Sequence, residues 1–444
     1  MNNLTKEFVA SFKFALPIVL TQCGFLCFSV VDLYMVSRID LIAIGGLGNA
    51  NSLFWPVFMA LCGVVYAMDA LASQSSGAGR DSHLVNLLFQ GGILGAILST
   101  LTLGIFAIIY LNFEAITANT ELLVYSKNYF FIVALSAPLL LFFTVFQRYW
   151  QAQGVTKPLL FIVVIANILN FAVNEILIFG RLGFPALGIK GAAISTTTSR
   201  FFMIFLVVIL TYLKLRNTEK PRLSINTKIL RQMFAIGIPI GLMLFFEVSV
   251  FAIATRFATR ISAEATSVHH IGIVLISIFY TIPMGISSAA AYRVGFFIGK
   301  DQFGYAKKIG YIAIFSSAVV MTGIAAILYY NTDAVLRLFT SDMRIIQIGT
   351  PILLWITISL LFDGTQCSVA GCLRGGARTQ LSSFTALICH YLIGLPLAYY
   401  LCFTCGKGLL GLWIGLTVGL ISISIILFGY WCLLPAEKLI YTKK

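Results

Sequence analysis

Charged side chains are scarce in this chain of 444 residues. Asp, Glu, Lys and Arg together make up 10% of the chain, whereas they make up about 25% of a typical soluble domain. Only 16 residues are acidic and 4 are histidine, while apolar residues make up 59%. This composition excludes a soluble globular protein and is typical of an integral membrane protein.

The chain also lacks the short motifs of common enzyme classes. We find no Gly-x-Ser-x-Gly nucleophile turn, no phosphate loop ending in Gly-Lys-Ser/Thr and no His-Glu-x-x-His zinc motif. We therefore expect that the protein is not an enzyme and has no cofactor. Because no nucleotide site is found, uphill transport by such a protein would need the gradient of an ion such as Na⁺ or H⁺.

Twelve apolar stretches are long enough to cross a bilayer as helices, which takes about 20 residues each. Many of the links between them are short, which leaves no room for a separate soluble domain. The sequence therefore predicts an all-α integral membrane protein with twelve transmembrane helices. We place them at residues 8–36, 42–70, 85–110, 122–147, 157–180, 188–213, 230–260, 264–292, 304–330, 345–372, 380–403 and 407–432.

The two halves of the chain repeat each other at an offset of about 220 residues. Gly79-Arg80-Asp81 returns as Gly299-Lys300-Asp301, and Gly191-Ala192-Ala193-Ile194 returns as Gly411-Leu412-Trp413-Ile414. Each half holds an even number of predicted helices, so both halves enter the membrane in the same orientation. We expect two six-helix bundles related by a pseudo-two-fold axis along the membrane normal. Substrate and ions would bind between them, with alternating access to the two sides.

The longest polar link falls at the middle of the chain. We predict an N-terminal lobe at residues 1–213, a cytoplasmic inter-lobe loop at 214–229 and a C-terminal lobe at 230–444. The loop and its flank carry a run of basic residues: Lys214, Arg216, Lys220, Arg222, Lys228 and Arg231.

The net charge of +14 reflects orientation in a membrane. Most of the 30 Lys and Arg residues fall on the side of the central loop, as the positive-inside rule requires of a cytoplasmic side. Both termini are then cytoplasmic. We expect a multi-pass monomer in the plasma membrane, which is the inner membrane in a bacterium. No soluble basic face is available for nucleic acid, so we expect none as a partner.

Five acidic residues lie within predicted helices: Asp32, Asp69, Glu175, Glu247 and Asp363. An ionised carboxylate inside a bilayer is costly, so such residues usually face an aqueous cavity and serve ions, protons or substrate. The alternative is that they stay protonated and hydrogen-bonded to the backbone or to each other. We predict that Asp32, Glu247 and Asp363 couple transport to a cation or proton. A structural role is favoured for Asp69, and for Glu175 a cavity-lining and a structural role both stay open.

Three asparagines share one face of the fifth predicted helix. Asn167, Asn170 and Asn174 are spaced by three and four residues, which places neighbours on one stripe. A stripe of amides inside a membrane helix predicts the lining of a cavity or an outer layer of groups around an ion site. Thr196, on the sixth helix, is a further candidate for this layer. The alternative is hydrogen bonding between helices, worth under about 1 kcal/mol for each residue.

Fragments spread over almost the whole chain resemble the multidrug and toxic compound extrusion (MATE) transporters, particularly the NorM-type branch. Each fragment is weak alone, but their order and spacing over twelve helices resemble that family closely. The fragments include Val31-Asp32-Leu33-Tyr34-Met35-Val36, Asp69 with Ser73-Gln74, Phe246-Glu247-Val248, His269-His270, Phe362-Asp363-Gly364-Thr365-Gln366 and Cys372-Leu373-Arg374-Gly375.

The resemblance implies a two-lobe antiporter that exports organic, often cationic, compounds in exchange for Na⁺ or H⁺. By motif position, Asp32 with Asn170 and Asn174 resembles the cation or proton site of the N-terminal lobe. Glu247 and Asp363 resemble the cation site of the C-terminal lobe, where Na⁺ could bind. In this chain Asn174 stands where some members have a second carboxylate. That departure leaves the coupling ion and the contribution of the N-terminal lobe open.

Two other functions are compatible with a polytopic membrane protein. A flippase for lipid-linked oligosaccharides would be expected to have a more cationic cavity for pyrophosphate, whereas the embedded charges here are mostly acidic. A membrane-embedded enzyme would need a catalytic or metal cluster, and His269-His270 does not supply one. Adjacent helical positions point about 100° apart, so two such side chains do not easily share an ion.

Overall fold

The computed structural model describes residues 3–117, 120–216 and 224–439. Within these ranges the chain is almost entirely helical, without a β-strand. Residues 217–223 of the predicted inter-lobe loop lie outside the described residues. The predicted all-α fold class is confirmed.

The helices of the first half of the chain are joined mostly by links of a few residues. They are α1 (Asn3–Val36), α2 (Leu41–Val65), α3 (Ala67–Gly77), α4 (Asp81–Leu111), α5 (Phe113–Ile116), α6 (Thr120–Leu135), α7 (Ala137–Gln151), α8 (Lys157–Phe179) and α9 (Ile189–Leu215).

The second half continues in the same way. Its helices are α10 (Thr227–Ile261), α11 (Ala263–Gly299), α12 (Phe303–Tyr330), α13 (Thr332–Arg337), α14 (Met343–Gly375), α15 (Gln380–Leu387), α16 (Leu395–Tyr399) and α17 (Gly408–Leu433). π-Helical turns at Ile388–Gly394 and Tyr400–Thr404 flank α16. The chain from Gln380 to Thr404 therefore forms one continuous span.

The twelve predicted transmembrane helices are confirmed in the described part of the chain. Eleven spans are long and apolar enough to cross a membrane as they stand, and the bent pair of α6 and α7 supplies the twelfth. The two helices of this pair are bent by 42°. The sequence predicted an unbroken helix at 122–147, but α6 ends at Leu135 and Pro138 lies in the first turn of α7. Proline has no N–H to continue the hydrogen-bond ladder across this junction.

The chain divides into two compact units. The first, called the N-unit, is Leu20–Gly241, and the second, called the C-unit, is Met1–Val19 with Leu242–Lys444. The boundaries lie inside α1 and α10, and each follows an internal proline, Pro17 or Pro239, by two residues.

The predicted lobes, 1–213 and 230–444, are separated at the link between α9 and α10, with bounds that fall two or three residues inside those helices. The unit boundaries lie instead within the first long helix of each half. In the N-unit, α2 packs along α6, α8 along α9 and α4 along α7. In the C-unit, α14 packs against α11, α12 and α17.

One repeated glycine makes the same contact in both units. A Cβ on Gly191, at the start of α9, would lie 2.7 Å from the carbonyl carbon of Leu177 on α8. A Cβ on its repeat partner Gly411, in α17, would lie 2.6 Å from the carbonyl carbon of Leu401 in the preceding span. Such a backbone approach is possible only for glycine, and small residues at helix contacts are common in membranes.

Local sequence signals fix the helix that carries the asparagine stripe. Lys157-Pro158 opens α8, and proline is favoured in the first helical turn because the N–H that it lacks would be unpaired there. The helix ends at Phe179 because Gly180 adopts a left-handed conformation, with φ of 71°.

Candidate functional site

Asp32 is the centre of a polar cluster in the N-unit. The residue is only 2% exposed. Its carboxylate accepts hydrogen bonds from Asn174 Nδ2 at 2.7 Å, Asn170 Nδ2 at 3.4 Å and Thr196 Oγ1 at 2.5 Å. The cluster joins α1, α8 and α9. Four residues selected from the sequence are thus brought together.

Two residues of this cluster were not predicted as site residues. The Tyr129 hydroxyl, from α6, lies close enough to Asp32 and Thr196 to interact with both. The Arg200 guanidinium, from α9, lies close enough to Asp32 and Tyr129 to interact electrostatically with both.

Arg200 is buried and has direct partners of its own. It donates to Ser136 Oγ at 2.7 Å and to the Val133 carbonyl oxygen at 3.4 Å, and it lies over the Phe54 ring at 5.3 Å. The sequence alone does not identify these partners of the arginine. Its partners lie at the C-terminal end of α6, beside the break before α7.

Glu247 and Asp363 form a second cluster, in the C-unit. Glu247 on α10 is partly buried, and Asp363 on α14 is 6% exposed. The Gln366 amide joins them, since Nε2 donates to Glu247 Oε1 at 3.2 Å and to Asp363 Oδ1 at 3.0 Å. The Tyr280 hydroxyl donates to Glu247 Oε2 at 3.4 Å. The two carboxylates therefore receive hydrogen bonds from one shared amide nitrogen and from one hydroxyl.

The second cluster supplies the ligand types of a hard cation. Gln366 is 1% exposed, and its Oε1 atom is buried without a hydrogen-bond partner. An unsatisfied buried acceptor is uncommon and often marks the place of an ion or water. Hard cations prefer oxygen ligands from carboxylate and amide groups. Glu247, Asp363 and Gln366 can therefore hold a cation such as Na⁺.

Two of the predicted outer-layer residues bond elsewhere. Asn167 Nδ2 donates to the Gly24 carbonyl oxygen at 3.0 Å and to the Val163 carbonyl oxygen at 2.9 Å, which ties α8 to α1. Glu175 pairs with Arg181 in the turn after α8, at 3.3 Å from Nε to Oε2. The stripe separates by depth rather than by direction, because Asn167 lies about 10 Å along the helix axis from Asn174.

The remaining candidates have structural surroundings. Asp69 forms a buried ion pair with Arg148 at 3.4 Å, which agrees with the structural role favoured for it. The rings of His269 and His270 lie 6.3 Å apart, and His269 Nε2 instead lies 3.2 Å from the Thr255 hydroxyl.

Some of the missed residues had a signal in the sequence. Gln366 follows Asp363 by three residues on one helix, which places both on the same face. Thr196 and Arg200 are related in the same way, by four residues. Tyr129 had no such signal, because it lies on α6, which carries none of the residues predicted for either cluster.

Buried carboxylates inside membrane-length helices, with one polar cluster in each of two units, define a polytopic α-helical membrane protein of the transporter class. The MatE family model matches residues 17–176 and 239–400. The chain therefore belongs to the MatE family. The two matched ranges fall one in each half of the chain, as the internal repeat predicts.

Bacterial relatives match along nearly the whole chain. The "Probable multidrug resistance protein NorM" of Bacillus cereus (strain ATCC 10987 / NRS 248) is 27% identical over 94% of this chain and 92% of its own length. The protein of the same name from Photorhabdus laumondii subsp. laumondii is 28% identical over 94% of this chain and 93% of its own length.

Solved structures share the fold. The eukaryotic MATE transporter AtDTX14 aligns with a TM-score of 0.88 and 21% identity, over 98% of both chains. A transporter from Pyrococcus furiosus, whose title reports a reversed polarity of the binding pocket and suggests a different function, aligns with a TM-score of 0.85 and 18% identity. That alignment covers 96% of this chain and 95% of the other.

Proposed function

We propose that the chain is a secondary active antiporter that exports small organic, often cationic, compounds in exchange for Na⁺ or H⁺. One observation carries the proposal: Glu247 and Asp363 share the single Gln366 amide inside membrane-spanning helices. Two carboxylates held together in a low-dielectric interior repel each other unless a cation or proton neutralises them. A binding equilibrium with Na⁺ or H⁺ at this pair is therefore favourable and gives the ion a place in the transport cycle.

The names of related proteins support the class of substrate. The NorM relatives are named for multidrug resistance, and one aligned structure is titled as a multidrug resistance MATE family transporter. Fold alone does not fix substrate, as the reversed pocket polarity of the Pyrococcus furiosus transporter illustrates. The two carboxylates of Glu247 and Asp363, which are influenced by a single guanidinium, favour cationic organic compounds here.

We place the protein in the plasma membrane, or the inner membrane of a bacterium, as a monomer with cytoplasmic termini. The basic residues of the central link support this orientation. The lipid bilayer is then its permanent partner.

Efflux from proteoliposomes tests the proposal. The purified protein is reconstituted, loaded with a fluorescent organic cation such as ethidium, and given an imposed Na⁺ or pH gradient. We expect gradient-driven efflux that Glu247→Gln and Asp363→Asn each reduce at least about tenfold, because each removes a charged ligand of the coupling ion. Glu175→Gln is the matched control, since that carboxylate pairs with the exposed Arg181.

Efflux that needs neither gradient, or that survives both substitutions at the wild-type rate, contradicts the proposal. An equal loss in Glu175→Gln would assign the effect to the general removal of acidic side chains.

A further inference from the structure

Arg200 places a fixed positive charge near Asp32, the carboxylate of the N-unit cluster, although the two side chains form no direct ion pair. We propose that Arg200 is the permanent counter-charge of Asp32, so that this cluster is balanced without a bound cation. Cation binding then falls to Glu247 and Asp363 of the C-unit. The inference rests on the proposed cation coupling and assigns that coupling to one of the two clusters.

Helix geometry places Arg200 one turn from the carboxylate. Thr196 and Arg200 are four residues apart on α9, so both project from one face. Thr196 donates directly to Asp32. On α6, Tyr129 and Val133 are also four residues apart. Tyr129 lies near Asp32, and the Val133 carbonyl oxygen accepts a hydrogen bond from Arg200, so two facing rows run from the carboxylate towards the guanidinium.

The guanidinium is held in this place. Arg200 is 8% exposed, and its bonds to Ser136 and to the Val133 carbonyl oxygen fix it at the C-terminal end of α6. The C-terminal end of a helix carries partial negative charge, which favours a cation there. Within the described residues, the charged and titratable groups recorded around Asp32 are Arg200 and Tyr129. A buried arginine of this kind needs an anion, and Asp32 provides it.

The two clusters then differ in net charge. In the N-unit cluster, one carboxylate faces one guanidinium. In the C-unit cluster, two carboxylates are influenced by one guanidinium, Arg374, which interacts electrostatically with Glu247 and donates to Ser287 at 3.4 Å. Even with Arg374 counted, the C-unit cluster keeps an excess of negative charge. That excess of negative charge attracts a cation, whereas the N-unit cluster has no such excess.

Thermal unfolding of the purified full-length protein in detergent tests this assignment without any transport. The cation response is the rise in unfolding temperature when NaCl replaces choline chloride at equal ionic strength, or when the pH is lowered. We expect wild-type protein to show a cation response that Glu247→Gln/Asp363→Asn abolishes. Arg200→Gln in that double-variant background should restore a response of about 2–4 °C, because Asp32 then lacks its counter-charge.

Three further variants separate charge from structure. Adding Asp32→Asn should remove the restored response, which a merely structural role for Arg200 does not predict. Arg200→Lys keeps the charge and should not create the response. Ser136→Ala removes a hydrogen bond to Arg200 but no charge, so it should lower the unfolding temperature without adding a response.

Each failure has its own signature. A wild-type protein that responds to neither Na⁺ nor acid contradicts the proposed function. A response that persists in Glu247→Gln/Asp363→Asn and disappears when Asp32→Asn is added leaves cation coupling intact but overturns the role of Arg200. So does an Arg200→Gln variant whose response is the same with and without Asp32→Asn.

Discussion

The two units differ in the groups that surround their carboxylates. In the N-unit, Asp32 receives donors from Asn170, Asn174 and Thr196 and has a guanidinium nearby. In the C-unit, Glu247 and Asp363 divide one amide nitrogen and one tyrosine hydroxyl. The first carboxylate therefore has more hydrogen-bond donors from the protein than either carboxylate of the second pair.

The difference arises on a repeated scaffold. Gly191 and Gly411 make the same close helix contact in the two units, so the duplication preserved the backbone packing at that point. The polar residues inside the bundles did not stay matched. A few side chains therefore decide whether a bundle stores negative charge, while this helix contact is the same in both.

The largest test of this comparison neutralises one carboxylate in each unit, because the two substitutions should change the free energy of unfolding in opposite directions. Asp32→Asn leaves the Arg200 guanidinium without its anion and should lower the free energy of unfolding by about 1–3 kcal/mol. Asp363→Asn removes repulsion with Glu247 and should leave that free energy unchanged or raise it by about 1 kcal/mol. Thermal and denaturant unfolding in choline chloride at alkaline pH measure both. A destabilisation by both substitutions to the same extent would mean that the clusters are electrostatically alike.

A second carboxylate should make the N-unit resemble the C-unit. Asn174 Nδ2 lies 2.7 Å from Asp32 Oδ1, so Asn174→Asp places two carboxylates within hydrogen-bonding distance. We expect a loss of about 2 kcal/mol of stability in choline chloride at alkaline pH, largely recovered when Na⁺ or acid supplies the missing positive charge.

The background for this measurement is Glu247→Gln/Asp363→Asn, which removes the response of the C-unit. Asn167→Asp is the matched control, because that amide donates to the carbonyl oxygens of Gly24 and Val163 rather than to Asp32. A recovery in the control equal to that of Asn174→Asp would show that any added carboxylate on α8 has this effect.

Sequence reasoning located the carboxylates because their cost in a bilayer makes them stand out. Asp32, Glu247 and Asp363 interrupt apolar runs, and no contact information is needed to notice them. The twelve spans were predictable for the same reason, from length and apolarity alone. The break between α6 and α7 was not, although Pro138 marks it, because a proline inside a long apolar run indicates either a kink or a break.

The groups around the carboxylates were only partly predictable. Asn170 and Asn174 were found by their spacing on one helix, and the same spacing also included Asn167, whose amide bonds to the carbonyl oxygens of Gly24 and Val163 instead of to Asp32. Arg200 follows Thr196 by four residues on α9, which is a local signal. Tyr129 approaches Asp32 from α6, and long-range packing of that kind leaves no local pattern in a single sequence. The unit boundaries within α1 and α10 also depend on such packing, which a single sequence does not show.

The Gln366 amide, which is shared by Glu247 and Asp363, should determine how tightly the C-unit cluster binds the cation. Gln366→Leu removes both hydrogen bonds and the unpartnered Oε1 atom, while it keeps most of the side-chain volume. We expect the Na⁺ concentration for half-maximal stabilisation to rise about tenfold, because one oxygen ligand is lost and the two carboxylates are no longer bridged. Gln153→Leu is the matched control at a partly buried amide of the N-unit. An unchanged half-maximal concentration in Gln366→Leu would exclude the amide from the ion site.

The smallest expected effects come from removing the two hydroxyl donors, Thr196 and Tyr280. Which of the two losses of stability is larger distinguishes the clusters. Thr196→Val removes a 2.5 Å bond to Asp32, and Tyr280→Phe removes a 3.4 Å bond to Glu247. A short bond to a buried, charge-balanced carboxylate should contribute about 1–2 kcal/mol to stability, and a long bond under about 0.5 kcal/mol.

Denaturant unfolding in choline chloride compares these two variants. The matched controls are Thr198→Val, which removes an exposed hydroxyl two residues further along α9, and Tyr329→Phe, at a half-exposed ring. Tyr280→Phe should instead weaken the Na⁺ response slightly, because the hydroxyl orients the Glu247 carboxylate. If Tyr280→Phe destabilises the cation-free protein more than Thr196→Val does, the C-unit carboxylates depend on protein donors rather than on a bound cation, and the contrast between the two units is lost.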